Sequence, residues 1–301
     1  MKVLFATDGS DDATVALRTA TRLLSPIDRN LDLLCVAPAF PKKRPNGKKR
    51  DEYEQRILGE TTQVLQEARA SLPSNAGQIQ LVSKIGSPAS VIVNKSEDYD
   101  VTVVGSKGRG VASDVGLGPV ASRVVEHGLG AILVGRELKS EDGVRVLAAV
   151  DGSDASLHAV EVLNALFDLR SGEVCLMHVA ETPWIQWGLE EEAWETASEE
   201  DQESSESGMM EKELVREGER VIEQARELLR GQRVSISTRI DEGTPANEIL
   251  SEAERGQYDL IVLGAMGARD LKHRMLGSVS SRVAWDAPCS VLIVREPEDA
   301  D

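Results

Sequence analysis

The stretch GAMGARDLKHRMLGSVS, Gly264 to Ser280, gathers three glycines, two serines and the cations Arg269, Lys272 and Arg274 against one carboxylate, Asp270. It is a basic island in a chain of 301 residues whose formal net charge is −17. Glycine at 264 and 267 lets a backbone come close to a ligand. Gly277 and Ser278 precede a helix whose pattern starts at about Ser278. The first turn of a helix presents unpaired N–H groups and a partial positive charge, which suit a phosphate. Ser278 and Ser280 add hydroxyls. Read locally, the same residues also describe a turn glycine and two helix caps. A carboxylate elsewhere favours the ligand: Asp151 follows the apolar run Val146–Val150, where it can accept from a sugar hydroxyl as carboxylates do in nucleotide sites.

Hydrolytic chemistry would need a positioned base and usually a held metal. The four histidines, His127, His158, His178 and His273, show no pair at ligand spacing. His178 falls in an apolar strand and reads as a packed residue, whereas His273 lies inside the basic segment and within reach of a bound phosphate. No Walker-type GK[ST] loop is present. The residues therefore suggest binding rather than turnover, with weak phosphate-ester hydrolysis at most and no assigned catalytic or metal-ligating residue.

These groups must be positioned by a fold, and the fold is written twice. VLFATDGSDDATVAL at Val3–Leu17 recurs as VLAAVDGSDASLHAV at Val146–Val160, an offset of 143. YDVTVVGSKG at Tyr99–Gly108 recurs as YDLIVLGAMG at Tyr258–Gly267, an offset of 159. IGSPASVI at Ile85–Ile92 recurs as EGTPANEI at Glu242–Ile249. The change of offset places an insertion in the second copy, where GLEEEAWETASEEDQESSESG runs from Gly188 to Gly208. Its carboxylates and weak periodicity predict a loop or a loosely held helical extension. The first copy has the opposite charge there, PKKRPNGKKR at Pro41–Arg50. Both read as solvated loops, and their opposite charges allow attraction to each other or to a partner.

Each copy alternates five short apolar runs with four amphipathic stretches. In the second copy the runs are about Val146–Val150, Val174–Ala180, Val234–Ile240, Leu260–Leu263 and Ser290–Val294, with helices beginning near Ala155, Met209, Pro245 and Ser278. Val/Ile/Leu strands separated by helices predict an α/β fold with a doubly wound parallel sheet. Ligands of such sheets bind beyond the carboxyl ends of the strands, where the winding reverses. Asp151 after the first strand and Gly264 after the fourth would share that crevice if those strands are neighbours.

Composition narrows the class. An acidic chain of this size suits two domains and argues against general nucleic-acid binding, which needs a basic face. Cys35, Cys175 and Cys289 are odd in number, far apart and set in apolar runs, so they read as buried thiols. MKVLFATDGS runs straight into a strand pattern, which predicts neither a signal peptide nor a membrane span and points to the cytoplasm.

VDGS after the first strand, GTPA before the third helix, and glycine, two residues, glycine, nine residues, glycine-serine resemble the universal stress protein family in its tandem form. The resemblance covers both copies and is especially close at LGSVSSRVAWDAPCSVLIV. It implies two tandem doubly wound five-stranded domains, residues 1–138 and 144–296, and an adenine nucleotide, ATP or AMP, with Mg as an accompanying ion. Carried over by residue, Ala149 and Asp151 would flank the adenosine and Val179 would meet the adenine. Leu263, Gly264 and Gly267 would line the ribose and first phosphates. Gly277, Ser278, Val279 and Ser280 would hold the phosphate tail. The family's dimers join at the last strand, which predicts that Ile132–Val134 and Ser290–Val294 pair within this chain, with a homodimer as a further option.

The first copy departs from the pattern. It keeps Asp8, Gly105, Gly108 and Gly118, but glycine-serine becomes Gly118-Pro119 and Ser280 becomes Ala121. Proline has no N–H for a phosphate and alanine no hydroxyl. Its site reads as degenerate. Two function classes follow: a stress or signalling module that a nucleotide in the C-terminal half regulates through conformation or an unidentified protein partner, and an interaction protein of the same fold that needs no nucleotide.

Overall fold

A computed structural model describes residues 1–25, 29–39, 48–73, 76–110, 116–140, 143–170, 172–181, 206–231, 233–267 and 276–295, with backbone only at 48–51 and 206–212. The first half runs β1 (Lys2–Ala6), α1 (Asp11–Leu23), β2 (Asn30–Pro38), α2 (Lys48–Ala70), β3 (Gln78–Gly86), α3 (Pro88–Ser96), β4 (Val101–Gly105), α4 (Pro119–His127) and β5 (Ala131–Gly135). The second runs β6 (Arg145–Ala149), α5 (Asp154–Leu166), β7 (Glu173–Ala180), α6 (Glu206–Leu228), β8 (Ser235–Glu242), α7 (Pro245–Arg255), β9 (Leu260–Gly264), α8 (Ser278–Asp286) and β10 (Ser290–Val294). Lys48–Arg50, read from sequence as loop, begins α2, and Glu206–Gly208, read as loop or loosely held helical extension, begins α6; the rest of both charged stretches, 41–47 and 188–205, lies outside the described residues.

Local chemistry accounts for the helix starts. Ser10 and Ser153 cap α1 and α5 by accepting from the N–H of Ala13 and Ser156. Pro88, Pro119 and Pro245 open α3, α4 and α7, where a missing N–H costs nothing.

The strands form one ten-stranded sheet in the order β3-β2-β1-β4-β5-β10-β9-β6-β7-β8. Pairing is parallel within each half and antiparallel at the centre, where Val134 faces Val291 and Ala131 faces Val294. The predicted pairing of the two last strands is thus present within the chain. It leaves neither apolar strand as an edge. On one face α1, α2, α5 and α6 pack over Phe5, Leu33, Leu133, Leu176 and Leu292. On the other, α3, α4, α7 and α8 pack over Leu4, Leu34, Ile132, Leu147 and Ile293. Each layer spans both halves. A fully buried side chain of this type stabilises by about 1.5–3 kcal/mol, so the seam is core rather than a loose contact.

The winding reverses at β1, between β2 and β4, and at β6, between β7 and β9. Two crevices result, and the second lies beside Asp151 and Gly264 as expected. The three cysteines are buried and unbridged.

Candidate functional site

At the second switch point Asp151 leaves β6 exposed to solvent and is fixed by a tight turn, in which the Ser153 N–H donates to its Oδ1 at 3.0 Å. Gly264 ends β9 against the start of α5, where an added Cβ would lie 2.7 Å from the Ala155 carbonyl carbon. A Cβ on Gly267 would lie 2.8 Å from Asp151 Oδ2. Gly264 is therefore required by backbone contact within the protein, a reason that the sequence reading, which gave it to ligand approach, did not contain, whereas at Gly267 the neighbour is only the tip of the exposed Asp151 side chain. Their effect is still to bring the β9 loop and the β6 carboxylate together.

The chain re-enters at α8. Gly277 N–H donates to Ala265 O at 2.8 Å, and the first bond inside the helix runs from Ser281 N–H to Gly277 O at 2.9 Å. Ser278, Val279 and Ser280 thus form the first turn, whose N–H groups find no carbonyl in their own helix. The N-cap residue Gly277 has no side chain to cap them, and among the described residues no cap bond reaches them like those of Ser10 on α1 and Ser153 on α5. Ser280 is buried and its Oγ donates to Gly264 O at 2.7 Å. Its hydroxyl proton is spent on tying α8 to β9, so Ser278 is the exposed hydroxyl of the pair.

These groups converge on one cleft of about 370 Å³, and all ten residues read from sequence line it: Ala149 and Asp151 from β6, Val179 from β7, Leu263, Gly264 and Gly267 from β9, and Gly277 to Ser280 from α8. The fit to a nucleotide rests on the combination of uncapped N–H donors, an exposed carboxylate and an apolar wall. Arg269, Lys272, Arg274 and His273 lie outside the described residues.

The cleft also contains residues that the sequence reading passed over. Met177 extends the apolar wall, and Leu214 and Glu217 come from α6, beyond the acidic stretch. A helix that returns from so far along the chain leaves no local signal. His178 is packed as expected: it is buried, its Nδ1 lies 2.9 Å from Val150 O, and its ring meets α6 where a Cβ on Gly218 would come within 2.8 Å of Cδ2.

A larger cleft of about 540 Å³ lies on the seam, lined by Asp100, His158, Glu161 and Arg295 among others. Its hydrogen-bonding side chains are already engaged, His158 Nδ1 3.2 Å from Glu161 and Arg295 with the end of α4. It lacks the glycine loop and open helix start of the smaller cleft.

The profile of the universal stress protein family matches residues 1–134 and again 144–295. The chain belongs to that family. The double match makes it a tandem member. A universal stress protein of Mycolicibacterium smegmatis is 26% identical over 303 residues, covering 97% of this chain and 96% of the relative. One of Methanocaldococcus jannaschii is 33% identical over 156 residues, 51% of this chain and 83% of the relative. Among solved structures, a universal stress protein of Archaeoglobus fulgidus shares the fold with a TM-score of 0.64 at 20% identity, covering 98% of both chains.

The chain's two copies can be compared at their crevices. In the first half Asp8 accepts from the N–H of Ser10 at 3.0 Å and of Arg109 at 2.8 Å. Burial raises the pKa of its carboxyl, but hydrogen bonds from Ser10 and Arg109 outweigh it and hold the group below the ordinary aspartate value. Ser106 Oγ donates to Asp12 Oδ1 at 2.7 Å. The second half has Ala265 and Ala155 at those repeat positions. The first turn of α4 begins with Pro119, and Ala121 stands where Ser280 ties α8.

Proposed function

We propose that this universal stress protein is a cytoplasmic stress-response or signalling protein that binds one adenine nucleotide, ATP or AMP, in its C-terminal half. The observation that carries this reading is the open first turn of α8, which meets Asp151 and the apolar wall at Val179 in a single cleft. The purine would lie against Val179 and Met177, Asp151 and Ala149 would take the ribose, and Gly264, Gly267 and Gly277 to Ser280 would take the phosphates. Mg²⁺ would travel with those phosphates. The domains are residues 1–138, with a degenerate site, and 144–296, with the intact one.

Binding acts by biasing conformation or partner choice, to the extent that the nucleotide prefers one state over another. No residue has a catalytic role in this reading. Calorimetric titration of the purified full chain with ATP and with AMP tests it. One site per chain for either nucleotide is expected. Two equal sites would overturn the asymmetry, and no binding would leave the nucleotide-independent interaction protein as the function.

A further inference from the structure

Arg136 and Arg295 are the residues that follow β5 and β10, and each reaches across the seam to the last helix of the other half. Arg136 Nη2 donates to Ala284 O and Nη1 to Cys289 O, both at 2.9 Å, so a first-half side chain holds the end of α8. Arg295 Nη2 donates to Val125 O and Glu126 O, both at 2.8 Å, and Nη1 to Gly128 O at 2.6 Å, which holds the end of α4. Arginine suits this position because its planar fork satisfies several carbonyls at once and stays charged. A cation also belongs where a helix exposes its carbonyl ends. Arg136 is itself fixed: its N–H donates to Ser290 Oγ at 3.0 Å and its carbonyl accepts from Thr19 Oγ1 at 2.8 Å.

The helix it holds is only nine residues long, about 13 Å at 1.5 Å per residue. A helix of that length has little stability of its own, so tertiary contacts place it: Val283 and Ala284 pack into the core layer, and bonds at its two ends fix it along its axis. At the near end are the bonds from Gly277 N–H and Ser280 Oγ to β9 and its loop. At the far end is Arg136.

We propose that Arg136 is a positioning residue for the candidate nucleotide site: from the first half it clamps the C-terminal end of α8 and so sets where the N–H groups of Ser278, Val279 and Ser280 stand. The first half, with its own crevice altered, is then a structural part of the second half's site. This rests on the nucleotide reading above.

The repeat supplies a matched control. Arg136→Gln and Arg295→Gln remove the same contact from pseudo-equivalent helices and should both lower the thermal midpoint. Only Arg136→Gln should weaken ATP binding by the full chain, by about tenfold, the range of couplings carried through packed elements. Amide exchange without nucleotide is the second readout: Arg136→Gln should speed exchange at Ser281, and Arg295→Gln at Ser122, the first bonded amides of α8 and α4. Equal ATP affinities in the two variants, or unchanged exchange at Ser281 in Arg136→Gln, would overturn the proposal. If the wild type binds no ATP, the nucleotide reading falls, and exchange at Ser281 still decides whether Arg136 holds the turn. Should Arg136→Gln not fold, Arg136→Lys, which keeps charge but not the fork, should give the same pattern at smaller size.

Discussion

In the first half a serine and an aspartate are bonded, Ser106 to Asp12; in the second, two buried alanines, Ala265 and Ala155, stand at those positions and offer no such bond. The same contrast recurs one layer away. Val64 lies against Gly9 as Val221 lies against Gly152, which aligns Thr61 with Gly218. Strand register aligns Cys35 with His178 and Ser83 with Ile240. The first half fills this point with a small cysteine and a Thr61–Ser83 hydrogen bond, the second with a large imidazole admitted by a glycine. Each copy is self-consistent and neither set is interchangeable singly. A duplicated fold keeps its strands and switch point while the side chains around the crevice drift together, because close packing makes them answer to one another.

The largest expected effect breaks the comparison at the helix starts. Gly277→Val should abolish ATP binding, since a branched side chain would stand at the mouth of the first turn, whereas Gly118→Val should change it little. Each hydrogen bond lost between that turn and a charged phosphate costs about 1.5–3 kcal/mol, on the order of tenfold to a hundredfold in affinity. Calorimetry on both variants checks this, and equal losses would show two working sites.

Gly218→Ala comes next. Alanine gains about 1 kcal/mol of helix propensity, but its Cβ meets the His178 ring, and overpacking costs about 1–3 kcal/mol. Net destabilisation is expected in urea unfolding. Adding His178→Cys, as in the first half, should make the double variant lose less than the sum of the single changes; strict additivity would separate the two residues.

Asp8 sharpens the comparison from the other side, because the first half keeps the carboxylate although its helix start has changed. Its bonds to Ser10 and Arg109 explain that, and they depress its folded-state pKa. A depressed carboxylate stabilises above its unfolded value of about 3.9 and loses that contribution as pH falls through the folded value. Asp8→Asn should therefore be less stable than wild type at neutral pH, with the gap closing in acid. A gap that does not depend on pH would show that the charge is immaterial.

The smallest effect is expected from the acidic insertion that only the second half has. Deleting Glu190–Ser207 should leave the thermal midpoint within a few degrees, because so charged a stretch offers little apolar area to offset its ordering entropy. Loss of soluble protein would instead implicate Trp187 and Trp194 as anchors.

Much of this was legible in the sequence because it is periodic or local. The duplication, the parallel α/β pattern and the start of α8 at Ser278 follow from runs of residues adjacent in the chain, whereas Ala149, Val179, Leu263 and Val279 came into the site reading through the family resemblance. The charged stretches were less legible: Lys48–Arg50 looks like loop, and Glu206–Gly208 like loop or a loosely held helical extension, yet both begin helices whose apolar face comes later, as Val64 and Val221. Tertiary structure alone decided the rest. Whether β6 lies beside β9, whether Gly264 is glycine for α5 or for a ligand, and whether Ser280 gives its proton to a phosphate or to a carbonyl depend on groups far apart in the chain. Arg136 and Arg295 show the limit most clearly. In sequence each is an arginine after a strand; only the antiparallel join of β5 to β10 brings each to the other half's helix, because a long-range contact is set by packing geometry and leaves no local pattern.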